Sequence, residues 1–320
     1  MKKILFLPAF LWATCCFSQR QHVYFLKNNG KYVLQRDSAN YIRIVNEPDS
    51  ASVLYNVTEF YLNGKKKLVG KSKTGDPPRY EGQCTRYYAN GAQESITNYK
   101  NNSKSGLQYD FYRNGKPYLV TEYIDDAASG GYFKEYQIKA NYDSLGTVLV
   151  ENGNGYAKIY DADFKIVAEE GNVKEGKREG TWKGNNKNPA LSFSEDYQNG
   201  QLISGTATSV DGTITTYTKS RNTLPKFPGG IEAFSRYLSS NTKYPRTARK
   251  YGIQGQVVLS FVVEKDGKTT DITITKSVDP AIDQEAVRVI SDSPLWIPGV
   301  QFGRPVRVVY SIPINFYLKE

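Results

Sequence analysis

One short signature recurs through the first two thirds of the chain and constrains its fold more than any other feature. Aromatic residues are followed closely by an Asn-Gly pair, most clearly in the segments 60–65, 87–91 and 111–116. An Asn-Gly pair between β-prone runs favours a tight β-hairpin, because both central turn positions are expected to need a positive φ. The glycines of these three copies are 27 and 24 residues apart, which is typical of a repeat array.

The turn signature also has weaker copies, and further glycines separate the copies from one another. The signature also occurs at 28–30, and the weaker copies lie at 152–153, 197–200 and 211–212. The separating glycines are Gly82, Gly106, Gly176 and Gly180. The period is irregular between Ala127 and Gly171, so irregular or inserted units are expected there. Each unit is predicted to hold two short strands and a tight turn.

This combination of Asn-Gly turns and glycine-x-aromatic segments resembles the MORN-like repeats of YwqK-type antitoxins. The resemblance covers about residues 55–205 and implies a ribbon of successive antiparallel β-hairpins. Each hairpin has too small an apolar face to fold alone, so its neighbours must supply the missing contacts. The chain has 25 tyrosines, which are expected to pack across strands while their hydroxyls stay hydrated. A ligand-binding surface of tyrosines is the alternative.

The last hundred residues have helical periodicity in three places. Apolar spacing predicts a helix over 231–241 and a shorter one over 246–251, separated by the Tyr-Pro pair at 244–245. The apolar face predicted for the first helix consists of Ile231, Phe234, Tyr237 and Leu238. The Asp-Pro pair at 279–280 combines an N-cap with a first-turn proline, and so predicts a third helix to about Ser291.

Strands are predicted between and after these helices. Alternation of apolar and polar residues predicts strands over 256–264 and 269–277, and a final strand over 306–318. Pro313 cannot donate a ladder hydrogen bond, which places the final strand at a sheet edge with unpaired backbone groups. The segment is therefore predicted to be a small α+β domain, with two or three helices on one face of a three-stranded antiparallel sheet.

The order of these C-terminal features closely resembles the C-terminal domain of the TonB family, the periplasmic energy transducers of Gram-negative bacteria. The matching features are the segments 225–230, 244–245, 255, 265–268 and 296–299. The resemblance implies that an N-terminal TonB-box segment of an outer-membrane receptor adds to the final strand. The implied pairing residues are Val306, Arg307, Val308, Val309, Tyr310 and Ser311, and the implied flanking residues are Tyr244, Pro245, Gln254 and Gly255. An edge covered by the repeat domain, or by a second copy in a homodimer, is the alternative.

The N-terminus is typical of a cleaved secretory signal peptide. Two lysines precede an uncharged run over 4–17, which is shorter than the roughly 20 residues of a membrane-spanning helix. Cleavage after Ser18 would deliver the protein to the periplasm, while Cys15 and Cys16 leave lipidation as an alternative. Cys84 would then be the only cysteine of the mature chain, and burial is expected for it.

Composition disfavours an enzyme. The chain has a single histidine, His22, so neither a His/Cys metal site nor a Ser-His-Asp triad is expected. Asp279 and Asp283 are better explained by helix capping than by acid-base catalysis. We therefore predict no catalytic residue, no metal and no cofactor. The formal charge of +10 is interpreted as a solvated basic surface, and nucleic acid is not an expected partner of an exported protein.

Together these patterns predict a mostly β region followed by an α+β domain. The predicted segments are a signal peptide over 1–18, repeats over 19–217, a linker over 218–225 and a TonB-like domain over 226–320. The predicted function is docking of TonB-box peptides by strand addition, associated with TonB-dependent transport across the outer membrane. The alternative is a structural envelope protein, whose ribbon binds a partner while the TonB-like domain dimerises or docks. Energy transduction would also need an association with the ExbB–ExbD motor, which the short signal segment does not favour.

Overall fold

A computed structural model describes residues 20–49, 52–124 and 136–318. The predicted signal peptide, with Cys15 and Cys16, lies outside the described residues. Within the described ranges, none of the helices combines the length and the hydrophobicity that a membrane crossing requires. The chain divides into two compact units, the first of which ends at Ala157 but also includes Val173–Lys177. The second comprises Lys158–Asn172 and the residues from Arg178 onwards.

The first unit is built from antiparallel β-hairpins. Its strands are β1 (Gln21–Leu26), β2 (Tyr32–Val33), β3 (Tyr41–Asn46), β4 (Tyr55–Tyr61), β5 (Lys66–Ser72), β6 (Tyr80–Tyr87), β7 (Gln93–Lys100), β8 (Ser103–Phe111), β9 (Pro117–Tyr123), β10 (Tyr136–Tyr142), β11 (Val148–Glu151) and β12 (Asn154–Tyr160), with a 3-10 helix at Arg36–Ser38. Strand β1 pairs with β2 and β3, and from β3 to β12 each strand pairs with the next. The predicted hairpin array is confirmed.

The Asn-Gly turns fall into two geometries, and one of them corrects the sequence prediction. In the turn at Gly64, the glycine N–H donates to Tyr61 O at 2.9 Å, and only the glycine has a positive φ, of 82°. The glycine is thus the fourth residue of the turn, and Asn63 keeps a negative φ. At Asn152-Gly153 both residues have a positive φ, of 49° and 76°, as predicted. The longer turn was missed because a three-residue loop uses the same Asn-Gly pair.

Three tyrosine hydroxyls in these turns donate to backbone carbonyls, whereas the sequence predicted that they would stay hydrated. Tyr61 donates its hydroxyl hydrogen bond to Tyr87 O at 2.7 Å, and Tyr88 donates to Phe111 O at 2.7 Å. Tyr112 repeats the contact with Tyr142 O at 2.8 Å. Each hydroxyl therefore satisfies a carbonyl of the following unit, and the tyrosines join neighbouring repeats. Cys84 is buried, as expected.

The remaining elements begin with strands and end with the predicted α+β domain. They are β13 (Val167–Lys174), β14 (Lys177–Lys187), β15 (Ala190–Gln198), β16 (Gln201–Ser209), β17 (Ile214–Tyr217), β18 (Asn222–Thr223), α1 (Gly230–Asn241), α2 (Arg246–Lys250), β19 (Gly255–Val263), β20 (Thr269–Lys276), α3 (Pro280–Ser291), β21 (Gly299–Gln301), β22 (Arg304–Val306) and β23 (Val308–Phe316). Strands β14 to β17 pair in chain order. Two three-stranded sheets follow, ordered β18-β21-β22 and β20-β19-β23.

The α+β domain has one core between its helices and the sheet β20-β19-β23. The sheet contributes Val257, Leu259, Phe261 and Val263, and α3 contributes Ile282, Ala286, Val289 and Ile290; all eight are fully buried. Asp279 caps α3 as predicted, because its carboxylate accepts from Ala281 N at 2.9 Å. Helix spacing and strand alternation therefore located this core correctly.

Ile231 is an exception, since its side chain is 69% exposed although it was predicted to face the core. Its place is taken by Phe227, which precedes the helix. The ring of Phe227 lies 5.1 Å from that of Phe234 and 5.6 Å from that of Trp296. A residue outside the helix thus packs on Phe234 in the core, which helical periodicity cannot predict.

Two predicted segments have different bounds in the structure. The predicted linker over 218–225 contains β18, whose Asn222 and Thr223 pair with β21. The predicted final strand is divided at Arg307, because Val306 pairs with Gly299 in one sheet whereas Val308 pairs with Val263 in the other. The chain changes sheets at this residue, and the alternation of side chains continues across the change.

Candidate peptide-binding edge

Strand β23 forms one edge of the sheet β20-β19-β23. It pairs with β19 in an unbroken antiparallel register, from Val308 opposite Val263 to Phe316 opposite Gly255. In the part of the chain that the structure describes, no strand pairs with its other side. The prediction that Pro313 marks an edge strand is therefore confirmed.

Hydrogen bonds show which backbone groups of β23 face away from the sheet. The Ser311 hydroxyl donates to Leu259 O at 3.0 Å, and the Thr273 hydroxyl on β20 donates to Ser260 O at 3.2 Å. Leu259 thus directs its backbone polar groups towards β23, where it is paired with Ile312. Because backbone direction alternates along an antiparallel strand, the neighbours of Ile312 direct theirs outwards.

The outward-facing backbone groups belong to the odd-numbered residues of β23. These residues are Val309, Ser311, Pro313 and Asn315. Each offers a carbonyl oxygen, and all except Pro313 offer an N–H group. The edge therefore presents three donors and four acceptors to an added strand, over a length of about 20 Å.

Side chains divide along β23 as the sequence predicted. Ile312, Ile314 and Phe316 are buried in the core, whereas Val309 is 69% exposed. Tyr310 packs on Trp296, with ring centroids 5.6 Å apart. The inner face holds the strand rigidly in place while its outer face and its edge remain accessible within the domain.

The opposite edge of the same sheet, β20, is less suited to strand addition. Its register with β19 shifts twice, and Asp271 has a positive φ of 50°. Such bulges bend an edge strand and disturb the ladder, which protects it against further pairing. The sheet therefore has one regular edge, β23, and one irregular edge, β20.

Arg307 is held beside the start of the edge strand by two carboxylates. Its Nε donates to Glu264 Oε1 at 2.8 Å, and its Nη2 donates to Asp271 Oδ2. Hydrogen bonds to these groups raise the pKa of Arg307. The pKa of Glu264 is lowered by the Thr270 hydroxyl and then by Arg307. Arg307 lies between the two strands, so its side chain anchors the chain where it changes sheets.

The structure separates the predicted flanking residues from the predicted pairing residues. Tyr244 packs 6.1 Å from Phe316, ring to ring, and Gln254 Oε1 accepts from Leu318 N at 2.8 Å. Gly255 is paired with Phe316, and Pro245 is the N-cap residue of α2. These residues therefore lie at the C-terminal end of β23. The predicted pairing residues lie at its other end.

Sequence reasoning missed one residue of this edge and wrongly included another. Asn315 belongs to the outward set, and its Oδ1 accepts from Gln256 Nε2 at 2.9 Å. The signal was available, because the position of Pro313 sets which alternate residues face outwards. Val306 was included in the edge, whereas the structure places it in β22, paired with Gly299. Alternation alone could not show the change of sheet at Arg307.

Comparisons with known proteins match the same part of the chain. Residues 240–318 match the family model described as "Gram-negative bacterial TonB protein C-terminal". Protein TonB of Helicobacter pylori strain 26695 is 34% identical over 85 residues, which are 26% of this chain and 28% of that protein. Protein TonB of strain J99 is also 34% identical over 85 residues, 29% of its length. The chain thus spans less than a third of the curated relatives it matches.

Solved structures of the same H. pylori domain also match. One NMR solution structure of TonB-CTD is 33% identical, and the match covers 29% of this chain and 88% of that chain with a TM-score of 0.23. A second is 29% identical, with coverages of 28% and 94% and a TM-score of 0.23. The similarity to the TonB C-terminal family thus covers residues 240–318, which follow the array of β-hairpins.

Proposed function

We propose that this protein is a periplasmic, non-enzymatic TonB-like protein that docks the N-terminal TonB-box segments of outer-membrane receptors. The receptor segment would add as a strand to β23, in association with TonB-dependent transport across the outer membrane. The observation that carries the proposal is the regular outer edge of β23, with its N–H and C=O groups facing away from β19. Unpaired edges favour pairing with another chain.

Two further observations support the choice of this edge. The inner residues of β23 are fixed in the core, so the edge needs little ordering when a peptide binds. The bulged strand β20 offers no comparable ladder. A peptide of roughly seven residues would reach from Val309 to Asn315 and use all the outward groups. The likeness to TonB would also make the ExbB–ExbD motor a partner of this protein.

The test is a titration of receptor N-terminal peptides into the chain from Gln19 to Glu320, by calorimetry, with two variants at one exposed position. Val309→Pro removes an outward N–H but no hydrogen bond to β19, and Pro313 already occupies an equivalent position. Val309→Thr keeps the N–H and the β-branched shape. We expect Val309→Thr to bind like the wild type and Val309→Pro to bind about tenfold more weakly, the loss of one well-formed hydrogen bond.

Equal binding by both variants would overturn docking at this edge, provided that circular dichroism shows both to be folded. Sedimentation of the same samples tests the homodimer through the same strand. A wild-type dimer that Val309→Pro converts to a monomer, with no peptide binding by either form, would assign the edge to a second copy.

A further inference from the structure

Phe302 occupies an unusual position for an aromatic residue. It lies at the tip of the β21–β22 hairpin with a φ of 49°, yet only 2% of it is exposed. A left-handed backbone is unfavourable for a bulky side chain, and a turn tip is normally solvated. Burial of the ring must therefore offset the backbone strain. This turn differs from the array turn at Gly64, where a glycine has the positive φ.

The ring of Phe302 is buried among residues of β15 to β17. It lies 5.4 Å from the ring of Phe193 and 6.0 Å from that of Tyr217. The Arg221 guanidinium lies 5.2 Å from the Phe302 ring and 4.4 Å from the Phe193 ring. Leu191 and Ala207 complete the cluster. A residue of the TonB-type domain thus completes the small core at the end of the hairpin array.

Hydrogen bonds from backbone and side-chain donors hold the tip on both sides. Phe302 N donates to Arg221 O at 2.8 Å, and the Thr215 hydroxyl donates to Phe302 O at 2.7 Å. Arg304 Nη2 donates to Thr213 O at 3.2 Å. A Cβ at Gly303 would lie 2.6 Å from Thr216 O, so the hairpin backbone is packed directly against β17. The contact is therefore specific and close.

The base of the Phe302 cluster is fixed by a buried carboxylate. Glu195 is fully buried and accepts from Arg221 Nε at 2.8 Å and from the Tyr217 hydroxyl at 2.7 Å. Arg221 also donates to Glu169 at 3.4 Å. Burial and the hydrogen bond to Glu195 raise the pKa of Tyr217, which therefore stays a donor. Arg221, in the predicted linker, is thus held to the array before the TonB-type domain begins.

We propose that Phe302 is a positioning residue, a latch that fixes the TonB-type domain to strands β15 to β17. The latch packs the hairpin tip against β17, and terminal elements of repeat arrays commonly cover the last unit in this way. Through β22 and Arg307 it also fixes the start of β23. Beyond peptide docking, the latch makes the segment 218–225 a clamped junction and holds the start of β23 in a set orientation to strands β15 to β17.

The test is limited trypsin digestion of the chain from Gln19 to Glu320 carrying Phe302→Asn. Asparagine tolerates a left-handed backbone, so the turn is kept while the ring is removed. Lys219 is already exposed and Arg221 is half-buried, but the junction holds the backbone that carries them. Opening of the junction releases this backbone, and we expect cleavage there to be about tenfold faster or more. Leu295→Asn is the matched control, because Leu295 is 59% exposed in the same domain. Phe302→Leu keeps an apolar plug and is expected to recover most of the protection.

Hydrogen exchange separates a latch from a general loss of stability. With the latch open, protection falls in 213–223 and 299–306 while the amides of α3 and β19 keep theirs. If trypsin cleaves Phe302→Asn at a rate within about twofold of the control, the proposal is overturned. An equal loss of protection throughout the domain would overturn it as well. Neither measurement involves a peptide, so failure of the docking function cannot be mistaken for failure of the latch.

Discussion

The hairpin array and the TonB-type domain are stabilised in different ways. In the array of the first unit, buried apolar clusters are small, such as that of Val45, Val57 and Leu68, and each turn is bonded to the next. In the TonB-type domain, three helices and one sheet share a single core around Phe261. The array therefore depends on contacts between nearest neighbours, whereas the domain depends on contacts between distant segments.

Because of this difference, the two regions are expected to tolerate substitutions differently. Loss of a turn contact in the array weakens one junction between two units, and the other junctions remain. Loss of a core contact in the domain affects every element that packs on it. The proposed docking function fits the same division, because a rigid core can hold an exposed edge such as β23 in one geometry. Substitutions that give the opposite pattern would contradict this division.

The largest effect is expected for Phe261→Ala. The Phe261 ring is fully buried, 5.4 Å from that of Trp296 and 6.0 Å from that of Tyr310. Removal of a buried aromatic side chain lowers the free energy of unfolding by about 3–5 kcal/mol, and we expect the whole TonB-type domain to be destabilised together. Chemical denaturation measures the loss, with the exposed Val309→Ala as control. A loss below about 1 kcal/mol would show that the domain has no single core.

A smaller, local effect is expected for Asn90→Ala. Asn90 Nδ2 donates to Arg113 O at 3.0 Å in the next turn, and its Oδ1 accepts from Ala92 N at 2.9 Å. We expect a loss of about 1–2 kcal/mol, with faster hydrogen exchange confined to the turns at Gly91 and Gly115.

The matched control for Asn90 is Asn29→Ala, in a turn of the same geometry. Asn29 Oδ1 accepts from Lys31 N at 3.1 Å, and Gly30 N donates to Lys27 O at 2.9 Å. The difference between the two variants measures the bond between units. If Asn90→Ala instead weakens protection across all strands of the first unit, the nearest-neighbour description of the array is wrong.

Much of this division could be read from the sequence, and the exceptions have physical causes. Period and turn chemistry identified the array, and apolar periodicity located the faces of α3 and β19. Ile231 was placed wrongly: it is exposed, and Phe227, outside the helix, packs on Phe234 in the core instead. Val306 was misplaced because it pairs with Gly299 in a short local hairpin, which alternation alone does not distinguish from a continuous strand. The burial of Phe302, by contrast, depends on Phe193, which is far away in the sequence. Local patterns do not encode such contacts, so the outer residues of β23 were predictable and the latch was not.

The smallest effect is expected for Arg307→Gln, because the Arg307–Glu264 pair is exposed and surface pairs contribute little. The substitution is informative because its effect on stability is expected to depend on pH. The pKa of Glu264 is lowered in the folded state by Thr270 and Arg307, so its contribution is present above the ordinary value of 4.5 and is lost as pH falls through the lowered pKa. The Tm difference between wild type and Arg307→Gln should therefore shrink as pH falls below 4.5. A difference that stays constant would show that Arg307 acts through packing of its aliphatic stem, and that β23 is fixed by the core alone.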